Sequence, residues 1–484
     1  MAKSSLPIVA KPVKEQSVFE TTSLEALYEG VREIYLEDDR PWVIGYSGGK
    51  DSTATLQLVW MAIKGIPAKK RVKPVYVISS DTFVETPVVV DHIDTNLGQI
   101  NVAAKKQKLP FEAHKVVPTD EETFWVCLLG KGYPAPTTKF RWCTERMKIR
   151  PADKFILDRI TDFGEVIMVL GARQGESASR DQVLKARAIK GSKLRSHSSL
   201  PSAYVYSPIE HFSVKDVWSY LLQVESPWGE DNNKLVGMYK AASGECPLVV
   251  DTSTPSCGNS RFGCWVCTVV EKDHSMEALV DSGEDWMEPL LEFRNFLASH
   301  KDPKLKRKYR EYKRRNGRVM MNKKTGKPVQ GPYKIEYRRQ WLKWLLKIEQ
   351  EVRANGPDPD ARLMRKDELL IIRSIWRAEE SDWEDSVLQI YREVTGEDLI
   401  QYGDDSSSLT AKDRDLLSQI SSKHGVPDRI VHKLLDKVRD KQGMGRRTGI
   451  YGQIESVFNE DWLTEEEVAA LLASADELDE GQAE

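Results

Sequence analysis

The chain has 484 residues, of which 40% are hydrophobic and 30% are charged, so a sizeable core is possible and wholesale disorder is excluded. With 71 basic and 74 acidic residues the net charge is −3, which excludes a global field that would attract nucleic acid or an anionic membrane. No apolar run approaches the roughly 18–20 residues of a membrane span, and the first residues lack the pattern of a secretory signal. We therefore expect a cytoplasmic protein with no membrane partner.

The predicted elements alternate between helices and strands up to about residue 222. Apolar spacing predicts a helix from Ser23 to Leu36, and the apolar run 42–46 predicts a buried strand that ends in the turn Ser47-Gly48-Gly49. Another helix follows this turn. Further buried strands are predicted at 75–78, 111–117 and 166–170. This alternation predicts an α/β fold with a parallel sheet that helices cover on both faces.

Composition divides the rest of the chain. Between residues 225 and 271 Pro, Gly, Ser and Cys are frequent and periodicity is poor, so a loop is expected there. The last thirty residues, 455–484, carry eleven acids and no Lys or Arg. The predicted domains are an N-terminal arm at 1–22, a sheet domain at 23–222, a cysteine-rich segment at 223–275, a helical basic region at 276–454 and an acidic tail at 455–484.

The string Ser47-Gly48-Gly49-Lys50-Asp51-Ser52-Thr53 predicts a phosphate-binding loop between a strand and a helix. Two glycines let the backbone turn sharply and approach a ligand closely. The start of the helix presents free N–H groups to an anion, Lys50 adds a cation, and the hydroxyl groups add donors. The string is not a Walker A loop, because Asp51 rather than Ser or Thr follows Lys50.

Three further residues are predicted to act with this loop. Asp81 follows the second strand, at the edge where open α/β sheets bind ligands, so it can hold Mg²⁺ or a ribose, or cap the next helix. Lys148 and Arg173 can neutralise the charge that develops on pyrophosphate, although a single basic residue is more often a solvated surface charge.

These motifs resemble the PP-loop family of ATP pyrophosphatases, which cleave ATP between the α and β phosphates. Four more stretches within residues 40–222 are similar to its phosphoadenylylsulfate reductase branch: Ser80-Asp81-Thr82 with Glu85-Thr86, Arg141-Trp142-Cys143-Thr144 with Lys148, Gly171-Ala172-Arg173 with Glu176-Ser177 and Arg180, and Tyr206-Ser207 with Asp216. The resemblance implies the adenine nucleotide α-hydrolase-like fold with ATP and Mg²⁺ as cofactors. It also implies catalytic roles for Lys50, Asp51, Lys148 and Arg173, and ATP binding by Ser47 to Thr53, Asp81 and Arg173.

Four of the six cysteines crowd into 22 positions, as Cys246, Cys257, Cys264 and Cys267. Four thiolates can close a tetrahedral zinc site or hold a [4Fe–4S] cluster, and the spacing alone leaves both open. Cys143 is a competing fourth ligand or a sulfur carrier. Cys127, between apolar neighbours, is predicted to be a core residue.

A basic stretch follows the cysteines, with ten Lys or Arg against two acids between residues 301 and 320. Such a cluster can neutralise DNA phosphates, and its tyrosines can stack on an exposed base. The alternative is a solvated helix face that pairs with the acidic tail. The predicted DNA-binding residues are Lys306, Arg307, Arg310, Lys313, Arg314 and Arg315.

A PP-loop domain followed by this cysteine pattern and a long helical region resembles the DndC family, the ATP-pyrophosphatase component of bacterial DNA phosphorothioate modification. The resemblance implies a [4Fe–4S] cluster on Cys246, Cys257, Cys264 and Cys267. It implies that a DNA phosphate oxygen is adenylylated and replaced by sulfur, with a cysteine desulfurase as sulfur donor and other Dnd components as partners.

Three alternatives remain at this point. One is a tRNA thiolase, and another is a DNA-binding scaffold with a zinc site. The third is a phosphoadenylylsulfate reductase-like sulfonucleotide enzyme, which the resemblance itself disfavours: those reductases use a catalytic cysteine in a C-terminal tail, and no cysteine follows Cys267 here.

Overall fold

One sheet organises the first half of the chain in the computed structural model. The structure describes residues 17–175, 182, 185–243, 263–322, 329–399, 409–439, 449–460 and 467. Its strands in the described residues are β1 (Trp42–Gly45), β2 (Val75–Ser80), β3 (Phe111–Val116), β4 (Val166–Val169), β5 (Arg195–Ser196) and β6 (Ala203–Tyr206). They lie in the order β3-β2-β1-β4-β6-β5, with parallel pairing throughout except for the antiparallel edge strand β5. The predicted α/β fold with a parallel sheet is confirmed.

The chain divides into two compact units, and the sheet belongs to the first. This unit spans residues 1–81, 86–116 and 149–262, and the second spans 82–85, 117–148 and 263–484. The predicted domain ranges are continuous and divide the chain differently; they stay a prediction. The described helices of the first unit are α1 (Leu24–Glu37), α2 (Lys50–Lys64), α3 (Pro87–Gln107), α4 (Arg150–Phe163), α5 (Val214–Gln223) and α6 (Asn232–Ser243).

The core of the first unit follows from its apolar strands and from α2. Trp42, Val43 and Ile44 of β1 are fully buried, as expected for a central parallel strand that is covered on both faces. Helix α2 is buried on nearly all sides, and its polar side chains Thr55 and Gln57 are buried as completely as Leu56 and Trp60. Helix α1 begins at Ser23, whose hydroxyl caps it by accepting the N–H of Ala26.

Helix α6 overturns one prediction. The poor periodicity between residues 225 and 271 indicates a loop, but Asn232–Ser243 is helical. Among its apolar side chains, Leu235 and Tyr239 are buried at a spacing of four residues, which places them on one helix face. Two anchor positions in a twelve-residue helix produce too weak a periodic signal to stand out from the Gly- and Ser-rich surroundings.

The second unit is helical. Its described helices are α7 (His274–Asp281), α8 (Glu288–Ser299), α9 (Pro303–Tyr309), α10 (Ile335–Asn355), α11 (Lys366–Glu379), α12 (Ser386–Thr395), α13 (Ala411–His424), α14 (Asp428–Arg439) and α15 (Ile450–Phe458). Its core includes Cys127, Trp341 and Trp376, so the predicted core role of Cys127 is confirmed. Burial raises the pKa of the Cys127 thiol to about 11. No helix among the described residues is long and apolar enough to cross a bilayer.

Arg338 of α10 is a fully buried cation in this second core. It donates to the carbonyl oxygen of Gly130 at 2.7 Å and forms an ion pair with Glu380. Removing one partner of such a buried network leaves polar groups without compensation. The Arg338→Ala variant should therefore lower the free energy of unfolding by about 3–5 kcal/mol, measured by denaturant titration of the full chain.

Lys343→Ala is the matched control on the same helix. Lys343 pairs with Glu393 at the surface, and exposed pairs of this kind contribute about 0–1 kcal/mol. Equal loss of stability in the two variants would contradict a structural role for the buried pair.

Candidate functional site

The sheet topology places two loops next to each other in the first unit. Strand β1 lies between β2 and β4 and pairs with both of them. The chain continues from β1 to β2 on one side and reaches β4 on the other side only later. Ligands of open α/β sheets bind beyond the carboxyl ends of the strands at such a switch point. The loop 47–49 follows β1, and the segment Gly171-Ala172-Arg173 follows β4.

The loop after β1 has the geometry of an anion cradle. Gly48 has φ +70°, a conformation that favours glycine, and a Cβ there would lie 3.2 Å from the ring of His92. Gly49 is the N-cap of α2 and provides no side-chain cap, so the first N–H groups of the helix lack that partner. Ser52 Oγ accepts the N–H of Ser47 at 3.2 Å and donates to the Gly49 carbonyl oxygen at 2.9 Å, which closes the turn.

Asp51 links the two loops by charge. Arg173 Nε lies 2.6 Å from Asp51 Oδ1, and Lys50 Nζ lies 3.2 Å from Asp51 Oδ2. Arg173 and Lys50 are both buried, and charge-assisted bonds of this kind are stronger than neutral ones. Two cations and one carboxylate therefore lie at the start of α2, where the net positive charge suits an anionic ligand.

Close packing explains why the second loop has a glycine at position 171. A Cβ on Gly171 would lie 2.8 Å from the Asp51 carbonyl oxygen and 3.1 Å from the Ser52 backbone nitrogen. Only a residue without a side chain lets the end of β4 approach the backbone of α2 this closely, and Arg173 reaches Asp51 from that position.

The other predicted residue of the first unit, Asp81, lies at the end of β2. Its carboxylate is 3.3 Å from Lys115 Nζ, and Lys115 also pairs with Asp94. Burial disfavours the ammonium, but the carboxylates of Asp94 and Asp81 leave the pKa of Lys115 raised. Residues 176–181, which include the predicted Glu176-Ser177 and Arg180, lie outside the described residues.

Two residues beside the loop were not predicted from the sequence. Tyr239 of α6 accepts the backbone N–H of Lys50 through its phenol oxygen at 3.2 Å, and Lys50 Nζ lies 5.1 Å from the centre of its ring. His92 Nε2 lies 3.3 Å from the Gly48 carbonyl oxygen. The spacing of Leu235 and Tyr239 by four residues is a sequence signal for α6, but two such positions are too few to predict a helix.

In the second unit the Cys-x2-Cys pair forms a tight turn. The N–H of Cys267 donates to the Cys264 carbonyl oxygen at 3.0 Å. The fully buried Arg294 of α8 holds the residues that follow, donating to the carbonyl oxygens of Cys267 and Glu271 at 2.8 Å each. These hydrogen bonds hold the backbone that carries the Cys264 and Cys267 side chains.

Lys148 lies in the second unit, near Cys264, and not in the first unit, which contains the phosphate loop. Its Nζ lies 3.1 Å from Glu85 Oε1, and Thr82 Oγ1 lies 2.9 Å from the same oxygen and 3.4 Å from Cys264 Sγ. Burial opposes the charge on Lys148, but the neighbouring Cys264 and Glu85 raise its pKa, so the lysine stays protonated. Burial raises the pKa of the Cys264 thiol, and the Glu85 carboxylate adds to this effect.

Two of the four predicted cluster ligands, Cys264 and Cys267, lie among the described residues. Cys246 and Cys257 lie outside the described residues, and no metal-binding group of three His, Cys, Asp or Glu is formed by the part of the chain that is described. Burial raises the pKa of the Cys143 thiol, and the nearby Cys267 adds to this shift, so Cys143 is a third thiol close to the turn. Cys264 and Cys267 are separated by two residues in the sequence, and this Cys-x2-Cys spacing is common in metal–sulfur sites.

The predicted DNA-binding residues divide into two groups. Arg310 and Arg314 donate to backbone carbonyl oxygens of the segment 329–331, Lys313 is buried, and Arg315 pairs with Glu379. Arg307 is exposed on α9, and Lys306 is partly exposed. The structure thus gives internal partners to Arg310, Lys313, Arg314 and Arg315, and the role of all six residues in DNA binding stays a prediction.

Two protein families match parts of this chain. Residues 41–270 match the phosphoadenosine phosphosulfate reductase domain. Residues 412–459, which contain most of α13 and all of α14 and α15, match a small protein found in certain Dnd DNA modification systems. Residues 41–270 are thus similar to that reductase domain, and residues 412–459 are similar to that Dnd-associated protein.

Individual proteins are more distantly similar. An uncharacterised protein of Methanocaldococcus jannaschii is 27% identical over 241 residues, which make up 50% of this chain and 39% of that protein. The phosphoadenylyl-sulfate reductase structure of Candida auris is 13% identical and covers 43% of this chain and 81% of its own, with a TM-score of 0.27. The U34-tRNA thiolase NcsA of Methanococcus maripaludis, solved with its [4Fe-4S] cluster, is 12% identical and covers 58% of this chain and 79% of its own, with a TM-score of 0.27.

The close approach at Gly171 leads to a stability test. In Gly171→Ala the new methyl group would overlap the Asp51 backbone, so β4 or α2 must shift. We expect the free energy of unfolding to fall by about 1–3 kcal/mol, measured by denaturant titration.

Gly98→Ala in α3 is the control, since a Cβ there meets no atom within 4 Å. Alanine inside a helix should leave stability unchanged or raise it by about 0.5–1 kcal/mol. A Gly171→Ala variant as stable as the wild type would show that the two backbones can separate without cost.

Proposed function

We propose that this chain uses ATP to activate a DNA backbone phosphate and then replaces one of its oxygen atoms with sulfur. The observation that carries the proposal is the loop 47–53 at the start of α2, where Lys50 and Arg173 lie on either side of Asp51. The match of residues 412–459 to a Dnd-associated small protein supports DNA as the substrate.

The proposed activation step is a nucleotidyl transfer. A non-bridging oxygen of the DNA phosphate attacks the α phosphorus of ATP, the bond between that phosphorus and the α–β bridging oxygen breaks, and pyrophosphate leaves. The N–H groups of α2 and the ammonium of Lys50 bind the phosphate oxygens and stabilise the charge of the leaving group. Asp51 holds Arg173 in place. Asp51 and Asp81 would supply carboxylate oxygens, the ligands that Mg²⁺ prefers, when the ion is bound.

The proposed second step exchanges AMP for sulfur. Sulfur at the oxidation level of sulfide attacks the DNA phosphorus, and the bond from that phosphorus to the oxygen shared with AMP breaks. AMP departs with this oxygen, and no electrons are transferred. Activation is necessary because an unactivated phosphate oxygen is a very poor leaving group. If a cysteine desulfurase delivers the sulfur as a persulfide, the outer sulfur attacks the phosphorus and a second thiol then cleaves the S–S bond. The persulfide's inner sulfur and the second thiol form a disulfide, so that this thiol is oxidised and the sulfur on phosphorus is reduced to the level of sulfide.

The proposed sulfur chemistry depends on cysteine ligands, of which Cys264 and Cys267 belong to the second unit. Cys264 and Cys267, with Cys246 and Cys257 as predicted, would ligate a [4Fe–4S] cluster that supplies or holds sulfur when bound. Cys143 lies near Cys267 and is the alternative ligand or carrier. The lysine and threonine beside Cys264 place a positive charge and a hydroxyl next to a sulfur that becomes anionic on metal binding.

DNA contact is proposed for the exposed members of the basic stretch. Arg307 and Lys308 of α9 and Arg318 are exposed, whereas Arg310 and Arg314 hold the backbone of the same segment in place. Exposed cations can neutralise phosphates without sequence preference, so other components must supply the choice of DNA sequence.

The loop chemistry has a direct test. Lys50→Ala removes the cation at the start of α2, so the rate of DNA-dependent pyrophosphate release from ATP should fall by about 10²–10³-fold. Lys64→Ala, at the exposed end of the same helix, is the matched control and should retain the rate. Cells that express the active protein with its partners should contain phosphorothioate dinucleotides, detected by mass spectrometry of digested DNA.

Two results would contradict the proposal. One is an unchanged rate of pyrophosphate release in Lys50→Ala. The other is the appearance of thiolated tRNA, with no sulfur in DNA, in the same cells. The second result would mean that the same ATP-dependent activation acts on a carbonyl group of a tRNA base and not on a DNA phosphate.

The cluster assignment has its own measurement. Anaerobically purified protein should contain about four iron and four sulfide per chain. Cys264→Ser should lose most of this iron, because Cys264 is a predicted ligand, and Lys50→Ala should keep it. Cys127→Ala is the control, since Cys127 packs in the core and is no predicted ligand. A colourless protein with one zinc per chain would exclude the iron–sulfur assignment.

A further inference from the structure

Tyr239 makes a contact at the phosphate loop that a phosphate would have to replace. Its phenol oxygen accepts the backbone N–H of Lys50 at 3.2 Å, and this N–H belongs to the first residue of α2. The same oxygen is close to Gly49, where an added Cβ would lie 3.2 Å from it. The hydroxyl group therefore lies inside the turn of the loop.

The ring is held firmly in this position. Tyr239 is 6% exposed and packs edge-on against Trp218 with ring centres 5.2 Å apart. Lys50 Nζ lies 5.1 Å from the ring centre, so both the backbone and the side chain of Lys50 face the same residue. A packed aromatic ring with a fixed hydroxyl has little freedom to move aside while remaining in the core.

One N–H group cannot donate a short, straight hydrogen bond to two oxygens at the same position. A phosphate oxygen that accepts the Lys50 N–H at a normal distance of about 2.9 Å would overlap the phenol oxygen at 3.2 Å. Tyr239 and a bound phosphate thus exclude each other at this donor.

We propose that the Tyr239 hydroxyl competes with the nucleotide phosphates for the Lys50 N–H and thereby lowers the affinity of the loop for its ligand. This rests on the proposed function, because it assumes that the loop binds the phosphates of ATP. Binding then requires that the tyrosine side chain leave the loop. The affinity for triphosphate is set by α6 as well as by the loop itself.

Tyr239→Phe tests the competition in the full chain. The variant keeps the ring, the contact with Trp218 and the contact with the Lys50 ammonium, and removes only the competing oxygen. Because a neutral hydrogen bond contributes modestly, magnesium pyrophosphate and a non-hydrolysable ATP analogue should bind about two- to tenfold more tightly by calorimetry. Adenosine, which has no phosphate, should bind the variant and the wild type equally.

Tyr28→Phe is the matched control in the same unit. The Tyr28 hydroxyl lies 3.4 Å from the Tyr220 hydroxyl, and its removal should leave the affinity for pyrophosphate unchanged. The adenosine measurement separates competition from a structural effect, because a general change in the unit would alter the binding of all three ligands.

The outcomes decide between the alternatives. Equal or weaker binding of pyrophosphate and the ATP analogue by Tyr239→Phe would overturn the competition, as would an equal gain for adenosine. If neither protein binds pyrophosphate or the analogue, both the competition and the proposed function fail. If both bind the analogue but the wild type releases no pyrophosphate from ATP with DNA, the proposed function fails and the comparison of affinities still decides the role of Tyr239.

Discussion

The conformation of the loop 47–53 depends on the contact of one backbone segment with another. Gly171, two residues beyond the end of β4, lies directly against the carbonyl group of Asp51, closer than a side chain would permit. That proximity brings Arg173 to the Asp51 carboxylate, and the ion pair in turn fixes the first turn of α2. A phosphate site on a parallel sheet needs two loops from neighbouring strands, and a missing side chain is what joins them here.

The sequence predicted what is local. A strand, a glycine turn and a helix start follow one another between residues 42 and 53, so the anion cradle could be inferred from one continuous string. The apolar runs of the parallel strands were equally clear, because strands buried on both faces consist almost wholly of apolar residues. Helix α6 could not be predicted in the same way, since its contact with the core depends mainly on Leu235 and Tyr239.

The sequence could not predict partners that are distant along the chain. Arg310 and Arg315 belong to one basic stretch, yet their partners are the Gly331 carbonyl oxygen and the Glu379 carboxylate. Lys148 was expected to act on pyrophosphate, and its described partner is Glu85 beside a thiol. A positive charge is visible in a sequence, but whether it faces solvent, a carbonyl group or a carboxylate is decided by tertiary packing.

Arg294 holds the backbone that follows the Cys264–Cys267 turn through uncharged acceptors only. The hydrogen-bond acceptors described for its guanidinium group are the carbonyl oxygens of residues 267, 270 and 271 and the amide oxygen of Asn295, all of them uncharged. Such acceptors neither gain protons in acid nor lose charge when neighbouring sulfur atoms are oxidised or reduced. The peptide framework behind Cys267 is thus held by hydrogen bonds whose acceptors keep the same charge when the pH changes.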